Sequence, residues 1–297
     1  MARTIQEIKK DLTAIEEIVA NLAVELRELD LNYLNVLSNS TRQQLILATY
    51  QICTQVYPDS FLKLSFSQRE KLQKNIRKLG NNAQQMFSQC LTESNRQLEL
   101  KNQQQNSLPS GTETTAETTE ENPREPATNI TETTEKNQEN NEEKVIIFSN
   151  PNDLIYWQLL IEQGIHETLN NISKEANRYL LQSGIVPKKL PAKVMEMALQ
   201  AEEAGTSISG LPNLLDFIIE TGINNEEKEA ENIIEMTAIR LRLTEIEFAD
   251  QNLTIERNKV RNLLAKIEQI QKKYQKIKKE CAIAEAETAW RSSWFDD

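Results

Sequence analysis

The residue types that carry most enzymatic chemistry are scarce in this chain. Among 297 residues there is one histidine, His166, and there are three cysteines, Cys53, Cys90 and Cys281, no two of them close in sequence. An imidazole or thiol needs a partner at fixed spacing to hold a metal or to act as a nucleophile. No C-x-x-C, H-E-x-x-H, E-x-x-H or G-x-S-x-G occurs. G-x-x-x-x-G-K-[ST] and G-x-G-x-x-G are absent too, which excludes phosphate-cradling loops of those kinds. His166 follows an apolar stretch and reads as a core or boundary residue. Cys53 and Cys281 fall on apolar stripes and Cys90 lies near Met86 and Phe87, so all three read as small apolar residues. The expectation is no catalytic residue, no cofactor, no metal ligand and no enzyme.

Two other groups have the chemistry of recognition. Lys63, Arg69, Lys71, Lys74, Arg77 and Lys78 stand against the single acid Glu70 in the region around 67–79. Such a face is either an ordinary solvated surface or a site for acidic protein, nucleic acid or anionic lipid. Phe61 and Phe66 beside it read as core anchors. The second group is the chain end, Trp290-Arg291-Ser292-Ser293-Trp294-Phe295-Asp296-Asp297, with two of the three tryptophans. On a helix Trp290 and Trp294 share a face, and tryptophan is enriched at binding hot spots. The tail reads either as a docking motif whose acids meet a basic rim or as aromatics folded back on the protein's own helices. Anchoring at a membrane interface is a weaker third reading, because the flanking charges are acidic.

The elements that position these groups read as helices. The 7 glycines and 8 prolines are about half the usual share, and 38% hydrophobic with 5% aromatic content suits helices with narrow apolar stripes. Ile5, Ile8, Leu12, Ile15, Val19, Leu22, Leu26 and Leu29 follow an unbroken 3,4 spacing behind a Thr4–Glu7 capping box. Tyr33 and Val36 continue the stripe to a turn at Ser38-Asn39-Ser40-Thr41. A second helix is expected from Ser40, with Gln43 completing its cap and a stripe of Ile46, Tyr50, Cys53 and Tyr57. A third is expected from Ser67, capped by Glu70, to a stop at Gly80, and a fourth from Asn82 to Lys101. Residues 1–103 thus read as an antiparallel helical bundle or two hairpins.

Residues 104–143 carry 2 basic and 10 acidic side chains and almost no core formers, so they read as a disordered Thr/Glu/Asn-rich linker. Val145 to Phe148 reads as a short strand or extended entry, followed by an Asn150 cap and a helix apolar nearly all round. Further helices fit 165–182, 191–204 and 211–221. Five of the seven glycines fall between 164 and 222, and residues 144–224 read as a small compact helical domain. From Asn225 to Ala289 no Gly or Pro occurs, and a long coiled-coil helix is expected over 225–289. Its stripe is Ile239, Ile246, Leu253, Val260, Ile267, Tyr274 and Cys281, joined by Leu263, Ile270, Ile277 and Ala284. A second stripe is Ile234, Leu241, Phe248 and Ile255. The seam from Val260 through Cys281 to Ala284 is expected to drive self-association or to pair with the heptad helix at 5–29.

The fold class is therefore all-α, with residues 290–297 as an aromatic-acidic tail. The absence of an apolar segment at the N-terminus, of a spanning helix and of a disulfide framework points to a cytoplasmic setting. The stretch from Thr41 to Gly80, T-R-Q-Q-L-I-L-A-T-Y-Q-I-C-T-Q-V-Y-P-D-S-F-L-K-L-S-F-S-Q-R-E-K-L-Q-K-N-I-R-K-L-G, resembles a helical segment of uncharacterised cyanobacterial proteins, and the W-R-S-S-W-F ending is similar in style. The resemblance implies a bacterial cytosolic setting and carries no active site. The functional expectation is a cytosolic adaptor or scaffold that binds protein partners, with a nucleic-acid-associated regulator using the basic helix 67–79 as the alternative.

Overall fold

A computed structural model describes residues 3–106, 148, 150–186, 210–221 and 232–294. The described chain is predominantly helical, with one small two-stranded sheet. Helix α1 (Ile5–Gln51) opens on the expected capping box, in which Thr4 and Glu7 bond each other's backbone N–H. It does not turn at Ser38–Thr41. The Ser38 and Ser40 hydroxyls donate to the carbonyls of Asn35 and Val36, so these side chains are satisfied inside the helix. The expected second helix is thus the end of α1, and its buried face is Leu45, Ala48, Thr49, Ile52 and Cys53, whereas Ile46 and Tyr50 are exposed.

A π-helical turn (Ile52–Val56) precedes Pro58, whose ring cannot continue an α-helix. The backbone leaves the helix at Tyr57, and Pro58 starts the short α2 (Pro58–Leu62) at its first position. Helix α3 (Phe66–Asn106) replaces the two helices expected on either side of Gly80. Its capping box is Ser65 with Gln68, not Ser67 with Glu70. Gly80 sits inside α3 because a Cβ there would come within 2.9 Å of Arg42 Cγ on α1. It is a close-approach point and not a stop.

Residues 107–147 and 187–209 lie outside the described residues, and with them most of the linker and the helix expected at 191–204. Phe148 packs edge-on against Trp157. Helix α4 (Pro151–Ser183) begins at the Asn150 cap and runs unbroken to Gly184, which ends it with a positive φ of 79°. The segment expected as a helix over 211–221 forms β1 (Leu214–Thr221). It pairs antiparallel with β2 (Asn232–Ile239), Leu215 opposite Ala238 and Phe217 opposite Met236. Both runs are rich in β-branched residues, and sheet pairing overrides the weak helical periodicity. Of the long helix expected over 225–289, residues 225–231 lie outside the described residues, and the rest is β2, α5 (Leu243–Ala249) and α6 (Gln251–Ser293). Asp250 in extended conformation ends α5 and caps α6 through Asn252 N–H.

Four long helices form the body. Arg42 on α1 meets Gly80 on α3, Asn95 on α3 meets Trp157 on α4, Glu162 on α4 meets Arg257 on α6, and Arg257 lies over Tyr33 on α1. Each neighbouring pair runs antiparallel, giving an up-down-up-down bundle in which one hydrophobic core extends from Ile15 to Tyr274. Residues 1–103 thus supply two of its helices, not four. At about 1.5 Å per residue α1 spans roughly 70 Å. The hairpin docks on α4 through Asn177, whose side-chain amide exchanges two 2.8 Å hydrogen bonds with the backbone of Ile239, as a neighbouring strand would.

Candidate functional site

The tryptophan pair stands at one end of this bundle. Asn152, at the start of α4, meets Gln271 on α6 at 2.7 Å, so the remainder of α6 runs past α4 with the start of α1 beside it. Ile8 and Cys281 are buried along this two-helix spur, and the ion pairs Arg3–Glu280 and Lys9–Glu285 bridge it at 3.5 and 2.8 Å. Both ion pairs are exposed and screened by solvent, so the apolar seam holds the spur. At its tip Trp290 and Trp294 share a face, ring centroids 5.6 Å apart, and are 65% and 62% exposed. Arg291 lies between them and approaches Glu287 at 3.7 Å. Phe295, Asp296 and Asp297 lie outside the described residues.

The heptad stripe of α6 is placed against α1 of the same chain. Leu253, Val260, Leu263, Ile267, Tyr274 and Cys281 are buried, and Ile270, Ile277 and Ala284 line the edge of the seam. The same seven-residue rhythm continues backwards through Ile246 on α5 to Ile239 on β2, both fully buried despite the breaks between the elements. In the second stripe Leu241 is buried, but Phe248 is 93% exposed and Ile255 is also exposed.

The basic group is at the opposite end of the bundle, around the α2–α3 corner. Lys63, Lys71, Lys74, Arg77 and Lys78 are exposed. Arg69 is instead structural. It donates to the carbonyls of Phe61 and Leu62 at 3.2 and 2.6 Å and lies over the Phe61 ring. Phe61 is partly buried against the core as expected, whereas Phe66 is exposed, because α3 begins with this residue on its outer face.

A partly buried charge cluster in mid-bundle lies outside the sequence expectations. Asp30 on α1 is fully buried, with Gln158 on α4 donating to it at 3.4 Å and its Oδ2 without a partner. Burial, with Glu162 adding repulsion, raises the Asp30 pKa from 3.8 to about 7, against the opposing pull of Gln158 and Arg257. Arg257 on α6 grips both oxygens of Glu162 and lies 3.2 Å from Glu247, which also accepts from the Tyr33 hydroxyl at 2.7 Å. Burial pulls the Arg257 pKa down, but Glu162, Tyr33 and Glu247 outweigh it and hold the guanidinium charged. The signals were present: Asp30 follows Ala23 and Leu26 at helical spacing, and Gln158 interrupts the apolar run Leu154 to Ile161.

The remaining candidates have ordinary surroundings. His166 is exposed on α4 and not in the core, since Ile165 and Thr168 take the inward positions. The three cysteines are buried and free, and burial pushes the Cys53 thiol up to about 11 and that of Cys90 upward as well. Cys90 lies under Gly164, where a Cβ would come within 3.1 Å, so this pair sets the closeness of α3 and α4. Among the described residues no group of three or more His, Cys, Asp or Glu is placed to hold a metal ion, and no helix is long and apolar enough to cross a membrane. No family model, curated protein or solved structure matches this chain.

Proposed function

We propose that the protein is a non-enzymatic adaptor or scaffold, acting in the cytoplasm, that docks a protein partner through Trp290 and Trp294. The observation that carries this reading is their exposure, side by side, at the tip of a two-helix spur that extends past α4. Large aromatics in water favour association, and tryptophan offers much contact area for few rotatable bonds. Arg291 between them supplies a polar rim, and Phe295, Asp296 and Asp297 extend the motif. Because α1 covers the heptad seam of α6, association of two copies through that seam requires α1 to move aside.

The experiment compares capture from cell extract by the intact chain, by a chain lacking residues 290–297, and by Trp290→Ala/Trp294→Ala. Both altered chains are expected to keep their helicity and lose the captured protein. A fall in melting temperature of more than about 4 °C would instead assign the aromatics to the protein's own core.

A further inference from the structure

The α2–α3 corner combines features that an ordinary solvated turn lacks. Leu62 is 66% exposed and Phe66 is 82% exposed, only four positions apart. The corner that presents them is held rigid. Arg69 ties down the Phe61 and Leu62 carbonyls, Ser65 and Gln68 lock the start of α3, and Phe61 packs on the core. Cations follow the apolar pair along α3. Lys71, Lys74 and Lys78 rise along successive turns on the outer face of α3, with Lys63 on the corner itself. None of these four lysines makes an ion pair among the described residues, and Arg77 bonds only the neutral Gln73. Asp59 and Glu70 are the acids within the corner, so the surface is strongly cationic.

We propose that this corner docks on an anionic membrane surface, Leu62 and Phe66 entering the boundary between headgroups and acyl chains while the lysines face the lipid phosphates. An apolar pair flanked by a lysine face fits a lipid interface, where apolar burial and attraction to anionic headgroups add. A single strand would use the cations and could stack a base on Phe66, but Leu62 has no ring on which a base can stack. The surface lies at the far end of the bundle from the tryptophan pair, so it stands or falls independently of the proposed docking role of Trp290 and Trp294.

The test is co-sedimentation of the full chain with vesicles of phosphatidylcholine alone or with one lipid in three replaced by phosphatidylglycerol. Binding is expected to the anionic vesicles only and to fall with added salt. Leu62→Ser/Phe66→Ser should weaken it on the order of tenfold, by removal of apolar burial. Each of Lys71→Gln, Lys74→Gln and Lys78→Gln should weaken it about fivefold. These positions are exposed, and unchanged circular dichroism verifies folding of each variant. Trp290→Ala/Trp294→Ala should bind vesicles like the parent. Equal binding to both vesicle types, corner variants (Leu62/Phe66 or lysine) that bind like the parent, or loss of binding in the tryptophan variant overturns the proposal. So does binding of a single-stranded oligonucleotide without binding of anionic vesicles, which would assign the lysines to nucleic acid.

Discussion

The Arg257 guanidinium on α6 meets the Glu162 carboxylate on α4 fork to fork, with Nη2 2.8 Å from Oε2, inside the four-helix body. The same guanidinium stacks over Tyr33 and faces Glu247, so one cation ties α1, α4, α5 and α6 together. A partly buried pair of this kind contributes little net stability over apolar packing, but losing one partner leaves an uncompensated charge.

Arg257→Met is therefore expected to destabilise the protein by about 1–3 kcal/mol, because Glu162 and Glu247 lose their common counterion at a site that water still reaches. Adding Glu162→Gln should recover part of the loss. A double-mutant cycle from urea unfolding measures the coupling, and additive effects would show that the two side chains act independently.

Asp30 gives the bundle a pH dependence of defined sign. Its folded pKa of about 7 lies above the ordinary 3.8, so its contribution is full below about 4 and is lost as pH rises toward 7. Asp30→Asn mimics the neutral acid. The parent, compared with this variant, should lose on the order of 2–4 kcal/mol between pH 4 and 8. Parallel stability profiles for the two proteins would show that Asp30 is ionised throughout.

Asn177 substitutes for a strand at the edge of β2. Asn177→Ala leaves both backbone groups of Ile239 without partners in a buried site, at a cost of about 2–3 kcal/mol. Hydrogen exchange at Ile239 should quicken, and Leu241, whose N–H donates to the Ser173 hydroxyl, should follow. Exchange faster across α1 as well would mean that the hairpin and the bundle unfold together.

Trp290→Ala/Trp294→Ala should change unfolding free energy by no more than about 0.5 kcal/mol, since both rings are exposed beyond the core. Denaturant titration checks this separately from any capture experiment. Trp157, buried and bonded to Asn95, then remains as the fluorescent reporter of the body.

The sequence by itself determined the helical class, the Thr4 and Asn150 caps, and the buried stripe from Ile239 to Cys281. These features depend on local hydrogen bonding and on period, which neighbouring residues carry in full. The tryptophan pair on one face follows from i, i+4 spacing in the same way. What only the tertiary structure decided are the places where a distant element supplies the deciding partner. Ser40 stays helical where a turn was expected, and its hydroxyl also meets Asp250 from across the bundle. Gly80 is a contact point with Arg42 and not a stop, and residues 214–221 become a strand because 232–239 pair with them. Asp30 is buried and Phe66 exposed for the same reason. Burial is a property of what packs opposite, and four antiparallel helices joined by long connections set those neighbours from far along the chain.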